Sequence, residues 1–147
     1  MRFDDVPPEP LASAIGFLLS WNGQRAGHGF ASALEPFGLR PPHFGVMTLI
    51  DAHPGATQQA LVTGSLIDAS SMVAVIDELE ERGLAERRSH PSDRRKHAVH
   101  LTAKGKRTLQ RTREIADRYT EQVLEPLDAA ERDHLKALLR KLAGLDG

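Results

Sequence analysis

Residues 77–105, DELEERGLAERRSHPSDRRKHAVHLTAKG, limit the choice of fold more than any other stretch of this chain. Asp77 to Arg82 is a charged helix end, and Gly83 follows it, in the place where a left-handed glycine commonly stops a helix. Two short runs, Leu84 to Arg88 and Lys96 to Leu101, flank the tip His90-Pro91-Ser92-Asp93-Arg94-Arg95. A Pro-Ser-Asp tip between two β-like runs reads as a hairpin loop. Thr102 then opens another helix. The order helix, hairpin, helix puts two adjacent arginines at the far end of the hairpin, where they can meet a polyanion.

The charge distribution points the same way. Net charge over the 147 residues is −1, yet residues 82–113 hold eleven Lys or Arg against two acids, Glu86 and Asp93. That block is +9 and leaves −10 for the remainder. Such a block is an electrostatic footprint for phosphate. The plainer alternative is a solvated charged face, but a hairpin followed by a helix is where phosphate contacts are expected. There are no cysteines, which excludes disulfides and thiolate metal sites. No stretch approaches the roughly 18 apolar residues of a membrane span, and the acidic start MRFDDVPPEP is unlike a signal peptide. The expected location is the cytoplasm, with no membrane partner.

In chain order, Pro7, Pro8 and Pro10 make residues 1–10 an extended arm. From Leu11 to about Leu34, apolar residues Leu11, Ile15, Leu18 and Trp21 recur at helical steps. Gly16, Gly23, Gly27 and Gly29 interrupt that helix, each costing about 1 kcal/mol against Ala, so it needs support from packing. Pro36 and Gly38 break the chain, and Pro41-Pro42 start a second helix through Phe44, Val46, Met47, Leu49 and Ile50 to about His53. Pro54-Gly55 ends it. Thr57 caps a short third helix to about Val62, Gly64 turns the chain, and Asp68 or Ser70 caps a fourth carrying Met72, Val73, Val75, Ile76 and Leu79. Two helices joined by a short glycine-containing turn make a helix-turn-helix. After the hairpin, a long helix runs to about Glu125, and the capping box Asp128-Ala-Ala-Glu131 opens the last one. Its stripe of Leu135, Leu138, Leu139, Leu142 and Leu145 exceeds what one small core needs. We read it as a dimer interface shared with the first helix, ordinary intrachain packing being the alternative.

The runs LEERGLAERR, HPSDRRKHAVHLT and AKG resemble the wing signature of MarR-type transcriptional regulators, with the closest agreement across residues 66–105. The usual tip begins Asp-Pro, whereas this chain has His90-Pro91, so a capping role for that acid does not carry over. The resemblance implies a mainly α fold with a small β-hairpin wing, a single domain over 1–147. Dimerisation helices at 11–34 and 103–145 would flank a winged helix-turn-helix lobe at 41–101. It further implies a homodimeric, cytoplasmic repressor of double-stranded DNA that responds to a small-molecule effector, often an aromatic anion, and needs no cofactor. Two recognition helices would read the half-sites of a pseudo-palindromic operator about one helical turn apart.

The fourth helix is then the reader. Asp68, Ser70, Ser71, Met72 and Val75 are its candidate contacts, the hydroxyls for phosphates or base edges and the apolar groups for thymine methyls. No Arg or Lys lies in that turn, so specificity leans on hydroxyls, apolar contacts and DNA shape. Thr57 and Gln58 (with Gln59) open the third helix, where the resemblance implies backbone contacts. In the wing, Asp93 and Arg95 match the family's acid-x-arginine pair, in which the acid orients an arginine bound for the minor groove. Arg87, Arg88, Arg94 and Lys96 are the expected phosphate contacts. Trp21, Arg25, His28 and His43 are the expected lining of an effector cleft, Trp21 and His43 foremost.

Two rivals remain at this stage. A zinc-responsive regulator of the same fold would use the seven histidines, but His97 and His100 face opposite sides of a strand and no metal site is expected. A helical adaptor that binds protein instead of DNA would leave the basic block without purpose. No Gly-rich phosphate loop, nucleophile elbow or HExxH motif suggests an enzyme.

Overall fold

A computed structural model describes residues 6–63 and 65–145. Half of the expected N-terminal arm and Gly64, expected in the turn, lie outside that range. The described residues form six α-helices and one hairpin: α1 (Ile15–Leu34), α2 (Pro41–Ala52), α3 (Gln58–Thr63), α4 (Ala69–Glu81), β1 (Ala85–Ser89), β2 (His97–Leu101), α5 (Ala103–Val123) and α6 (Ala129–Leu142). This is the mainly α architecture with a β wing that the sequence implies. Two helix ends differ: Leu11–Ser13 is a separate 3-10 turn ahead of α1, and Glu35–Phe37 is another after it.

The stop after α4 forms as read. Gly83 has φ +67°, the N–H of Leu84 donates to the carbonyl of Leu79 (2.8 Å) and that of Gly83 to Glu80 (2.9 Å). These two bonds satisfy orphan carbonyls of the helix end and turn the chain into the hairpin. β1 and β2 pair antiparallel, Ala85 opposite Leu101 and Ser89 opposite His97. A third extended segment was not anticipated. The Gly55 N–H donates to Val99 (2.9 Å), Val99 donates to Ala56 (3.0 Å), and Thr57 bridges Ala98. The chain between α2 and α3 thus pins the base of the wing to the helix-turn-helix.

One core joins these parts. Val46, Met47 and Ile50 of α2, Leu61 of α3, and Met72, Val75, Ile76 and Leu79 of α4 meet Leu84, Val99 and Leu101 from the hairpin base. Leu34 at the end of α1 and Leu109 in the first half of α5 complete it. α1 lies against α5, where the Tyr119 hydroxyl donates to the Arg25 carbonyl (2.9 Å). A Cβ at Gly29 would stand 2.1 Å from that hydroxyl oxygen, so this glycine permits the crossing. α6 buries no residue, and Leu138, Leu139, Leu142 and Leu145 are exposed. Intrachain packing therefore does not account for its stripe.

His43 sits where α2 meets α4. Its Nδ1 accepts the backbone N–H of Arg40 (2.9 Å), and its Nε2 lies 2.5 Å from Oε2 of Glu78. Because Nδ1 must accept, the network assigns the ring proton to Nε2, which donates to the carboxylate. The imidazole is fully buried and both nitrogens are occupied. Burial lowers its pKa from 6.5, against the opposite pull of the hydrogen bond and charge of Glu78. Protonation would place a second N–H against the N–H of Arg40. The expected effector contact at His43 is therefore corrected: it is a capping and cross-linking residue.

Two outcomes follow from this packing. Gly29→Ala should destabilise the protein by about 1–3 kcal/mol through overpacking, read as a lower urea midpoint. Gly23→Ala, with nothing within 4 Å, should be neutral or stabilising by up to about 1 kcal/mol. For His43, the unfolded chain takes up its proton near pH 6.5 and the folded chain only at lower pH. The stability it contributes is then complete above pH 6.5 and is lost as pH falls below that value. Melting temperature should fall from about pH 7.5 to about pH 5.5 more steeply in the wild type than in His43→Gln; equal slopes would refute the assignment.

Candidate nucleic-acid interface

Of the two candidate caps, Asp68 serves α4. Its Oδ1 accepts the N–H of Ser71 (2.9 Å) and the hydroxyl of Ser70 (2.7 Å), and its Oδ2 accepts the Ser71 hydroxyl (2.7 Å). These bonds, the Ser71 backbone N–H first among them, hold its carboxyl far below the usual range. Both serines are exposed, with their protons committed to Asp68 and lone pairs left to accept. Met72 and Val75 are corrected. They are 0% and 5% exposed and belong to the core, out of reach of a base edge. The outward positions are Ala69, Ser70, Ser71, Val73 and Ala74, with Val73 40% exposed and Leu66, in the preceding turn, fully exposed. Val73 and Leu66 are the apolar groups the sequence reading missed. The signal was present: 72, 75, 76 and 79 form the i, i+3, i+4, i+7 stripe that must face inward, leaving 73 outside.

The hairpin cations divide into bound and free. Arg87, 18% exposed, donates to Asp77 (2.7 Å) and to Glu80, both on α4, while its Nε donates to Oε1 of Gln58 on α3 (2.6 Å). It fastens the wing to the helix-turn-helix and is not an available phosphate contact, contrary to expectation. Arg88 pairs with Glu86 at the surface, a weaker engagement that an anion can displace. Arg94, Arg95 and Lys96 are exposed, and among the described residues their side chains have no hydrogen-bond or ion-pair partner. Asp93 meets Arg95 through the backbone, its Oδ1 accepting the Arg95 N–H (2.9 Å). At the tip, Nδ1 of His90 accepts the N–H of Ser92 (3.2 Å), so the histidine supplies a tip acceptor where the usual acid is absent.

α3 faces the same region. Thr57 Oγ1 accepts the Ala60 N–H (3.2 Å), and Thr57, Gln58 and Gln59 line a groove of about 180 Å³ with Arg95, Lys96 and His97. The groove brings together the expected α3 and wing residues from segments nearly forty positions apart. It is the size of a small anion and carries two free cations.

A larger cleft, about 1020 Å³, opens between the second half of α1, the segment 38–40, the end of α4 and α5. Of the four residues expected in an effector cleft, His28 lines it; Trp21, Arg25 and His43 do not. Trp21 packs on Phe17 with ring centroids 5.7 Å apart, and its buried indole N–H meets no acceptor among the described residues. The cations of the cleft are Arg40 and Arg82, neither of which the sequence reading singled out. No group of three His, Cys, Asp or Glu among the described residues could hold a metal ion, so the zinc-responsive alternative has no ligand set there. Among the described residues, no helix is long and apolar enough to cross a membrane.

The comparisons with known proteins agree with this geometry. The sequence profile of the MarR family matches residues 37–96. A putative transcriptional regulatory protein for the hcr operon of Thauera aromatica is 34% identical over 133 residues, 90% of this chain and 80% of that protein. The transcriptional repressor CouR, solved bound to a 23-mer DNA duplex, superposes with a TM-score of 0.84 at 35% identity, covering 95% of this chain and 99% of that one. CouR from Rhodococcus jostii RHA1 bound to p-coumaroyl-CoA gives a TM-score of 0.80 at 31% identity, covering 92% and 96%. Wing, recognition helix and relatives converge, and the chain belongs to the MarR family of DNA-binding, winged helix-turn-helix transcriptional regulators.

Proposed function

We propose that this regulator is a cytoplasmic, ligand-responsive repressor that grips a pseudo-palindromic operator as a homodimer and acts by binding, without catalysis. The observation that carries the DNA reading is the free wing trio Arg94, Arg95 and Lys96, the last two beside the start of α3, on a wing whose other arginines are held by acids. Arg95 at the wing suits the deepened negative potential of a narrow minor groove. Arg94 and Lys96 meet phosphates, Thr57 and the Gln58 amide the adjacent backbone. Ser70 and Ser71 offer acceptors to the major groove, with Val73 and Leu66 as apolar contacts replacing Met72 and Val75.

The dimer reading rests on unpartnered apolar surface. Val6, Leu11, Ile15 and Leu19 at one end of the chain and four leucines of the α6 region at the other are exposed. A second copy is the natural cover, since isologous interfaces repeat one patch on both subunits. The effector reading rests on the cleft between α1, α5 and the end of α4, which touches both the dimerisation helices and the reading helix. That a relative was solved with p-coumaroyl-CoA supports an aromatic anion as the class. Effector binding would change the spacing of the two recognition helices, and a dimer that no longer matches the groove lets go.

Fluorescence anisotropy with upstream DNA against scrambled DNA, across a salt series, tests the first part. Arg95→Ala should weaken binding and flatten the slope of log affinity against log salt by about one; an unchanged slope would remove Arg95 from the interface. For the dimer, Leu138→Asp with Leu142→Asp should yield monomers by light scattering at concentrations where the wild type sediments as a dimer, and should lower operator affinity. A wild type that is itself monomeric at micromolar concentration would refute this assembly.

A further inference from the structure

We infer that Glu78 and an anionic effector compete for the guanidinium of Arg40, so that filling the cleft unlatches the C-terminal end of the recognition helix. This deepens, and rests on, the effector reading above. Arg40 lines the cleft, yet its Nη2 is already engaged by Glu78 of α4, at 3.1 Å from Oε1 and 2.9 Å from Oε2. Arg82, the C-cap of α4, also lines the cleft and donates to the Gly38 carbonyl in its wall. Both cations the cleft offers are therefore the groups that hold α4, and one acid, Glu35, shares the lining with them.

Exposure decides which contact gives way. The side chains of Arg40 and Glu78 are 60% and 37% exposed, and a solvated pair of this kind is weak and exchangeable. His43, in contrast, is buried and held at both ring nitrogens. An anion at Arg40 would leave Glu78 with the His43 N–H as its remaining partner and free the helix end to shift. The ligand class is then an organic anion whose acidic group reaches Arg40 while its apolar part lies against Leu39 and Tyr119. By linkage, whatever favours Glu78 on Arg40 opposes the effector, and removing Glu78 should tighten effector binding. Glu78 is on this view a positioning residue, acting on DNA through the orientation of α4.

The test uses the full chain and the duplex that the wild type selects from a randomised pool. Without any ligand, Glu78→Gln and Arg40→Gln should each lose about fivefold in affinity for that duplex, a coupling of the usual allosteric size. Affinity for random duplex should be unchanged, Arg40→Lys should retain operator binding, and the double variant should lose no more than either single one. Additive losses, or none, would overturn the latch. With p-coumaroyl-CoA and p-coumarate as probes, affinity for the DNA-free protein should rise about fivefold in Glu78→Gln and fall in Arg40→Gln, and neither variant, its latch already gone, should release DNA as the wild type does. Equal release in all three proteins would overturn the competition. If neither probe releases the wild type, the aromatic-anion reading of the cleft fails, and the ligand-free comparison still decides whether Arg40 and Glu78 hold the helix.

Discussion

The helix that reads DNA must also be the centre of the core, and the rest of the structure is arranged around that double duty. Met72, Val75, Ile76 and Leu79 give α4 an inward face to which α2, α3 and the hairpin base contribute. A helix has one such face, and burying large apolar side chains contributes roughly 1.5–3 kcal/mol each. That demand overrides any use of the same side chains on DNA. What remains for reading is a narrow outward strip of small residues, Ala69, Ser70, Ser71, Val73 and Ala74. On the proposed docking, the absence of an arginine there would leave base discrimination to hydroxyl acceptors, methyl groups and DNA shape, with the wing carrying most of the charge.

A reading helix so poor in polar reach has to be placed firmly, and polar cross-links do this from two sides. Arg87 joins the wing to Asp77 and Glu80 of α4 and to Gln58 of α3. His43 and Arg40 join the start of α2 to Glu78. In the first link the Arg87 guanidinium is largely shielded although its two acids are partly exposed, and removing those acids would leave that charge poorly partnered, which is expensive. The second pairs a buried neutral imidazole with an exposed ion pair. One side of α4 is thus fixed, and the other is open to exchange.

Local chemistry was legible in the sequence because local physics decides it. Gly83, Thr102, Asp128 with Glu131, and the Pro-Ser-Asp tip each announce a boundary through a conformation or a cap that few residues provide, and each boundary lies where it was read, within a residue. The candidate site was legible in part. Arg95, Lys96 and the start of α3 do meet at one groove. What could not be read was partnership across the fold. Nothing in the string reveals that Arg87 is spoken for by two acids seven and ten residues earlier while Arg94 is free. Nor does it place Arg40 and Arg82, 42 positions apart, in one cleft. Residues 55–57 joined the sheet through backbone bonds alone, which leave no trace in side-chain pattern. Met72 and Val75 were a different failure, since their phase on the helix already placed them inside.

The distinction between formal and available charge also ties the two ends of the molecule together. The sequence assigns +9 to residues 82–113, but Arg87, Arg88 and Arg113 are paired with acids, and Lys104 and Arg82 are turned to backbone carbonyls. On the wing, three cations stay free. Each phosphate neutralised contributes about 0.9 to the salt slope, so a single wing releases few counterions, and one copy would hold DNA poorly at physiological salt. Two copies on adjacent half-sites double that number on one duplex and gain the effective concentration of a linked pair. In the proposed dimer, the exposed leucines of α6 and the N-terminal segment would serve DNA binding by joining two wings, because one wing has too little charge to act alone.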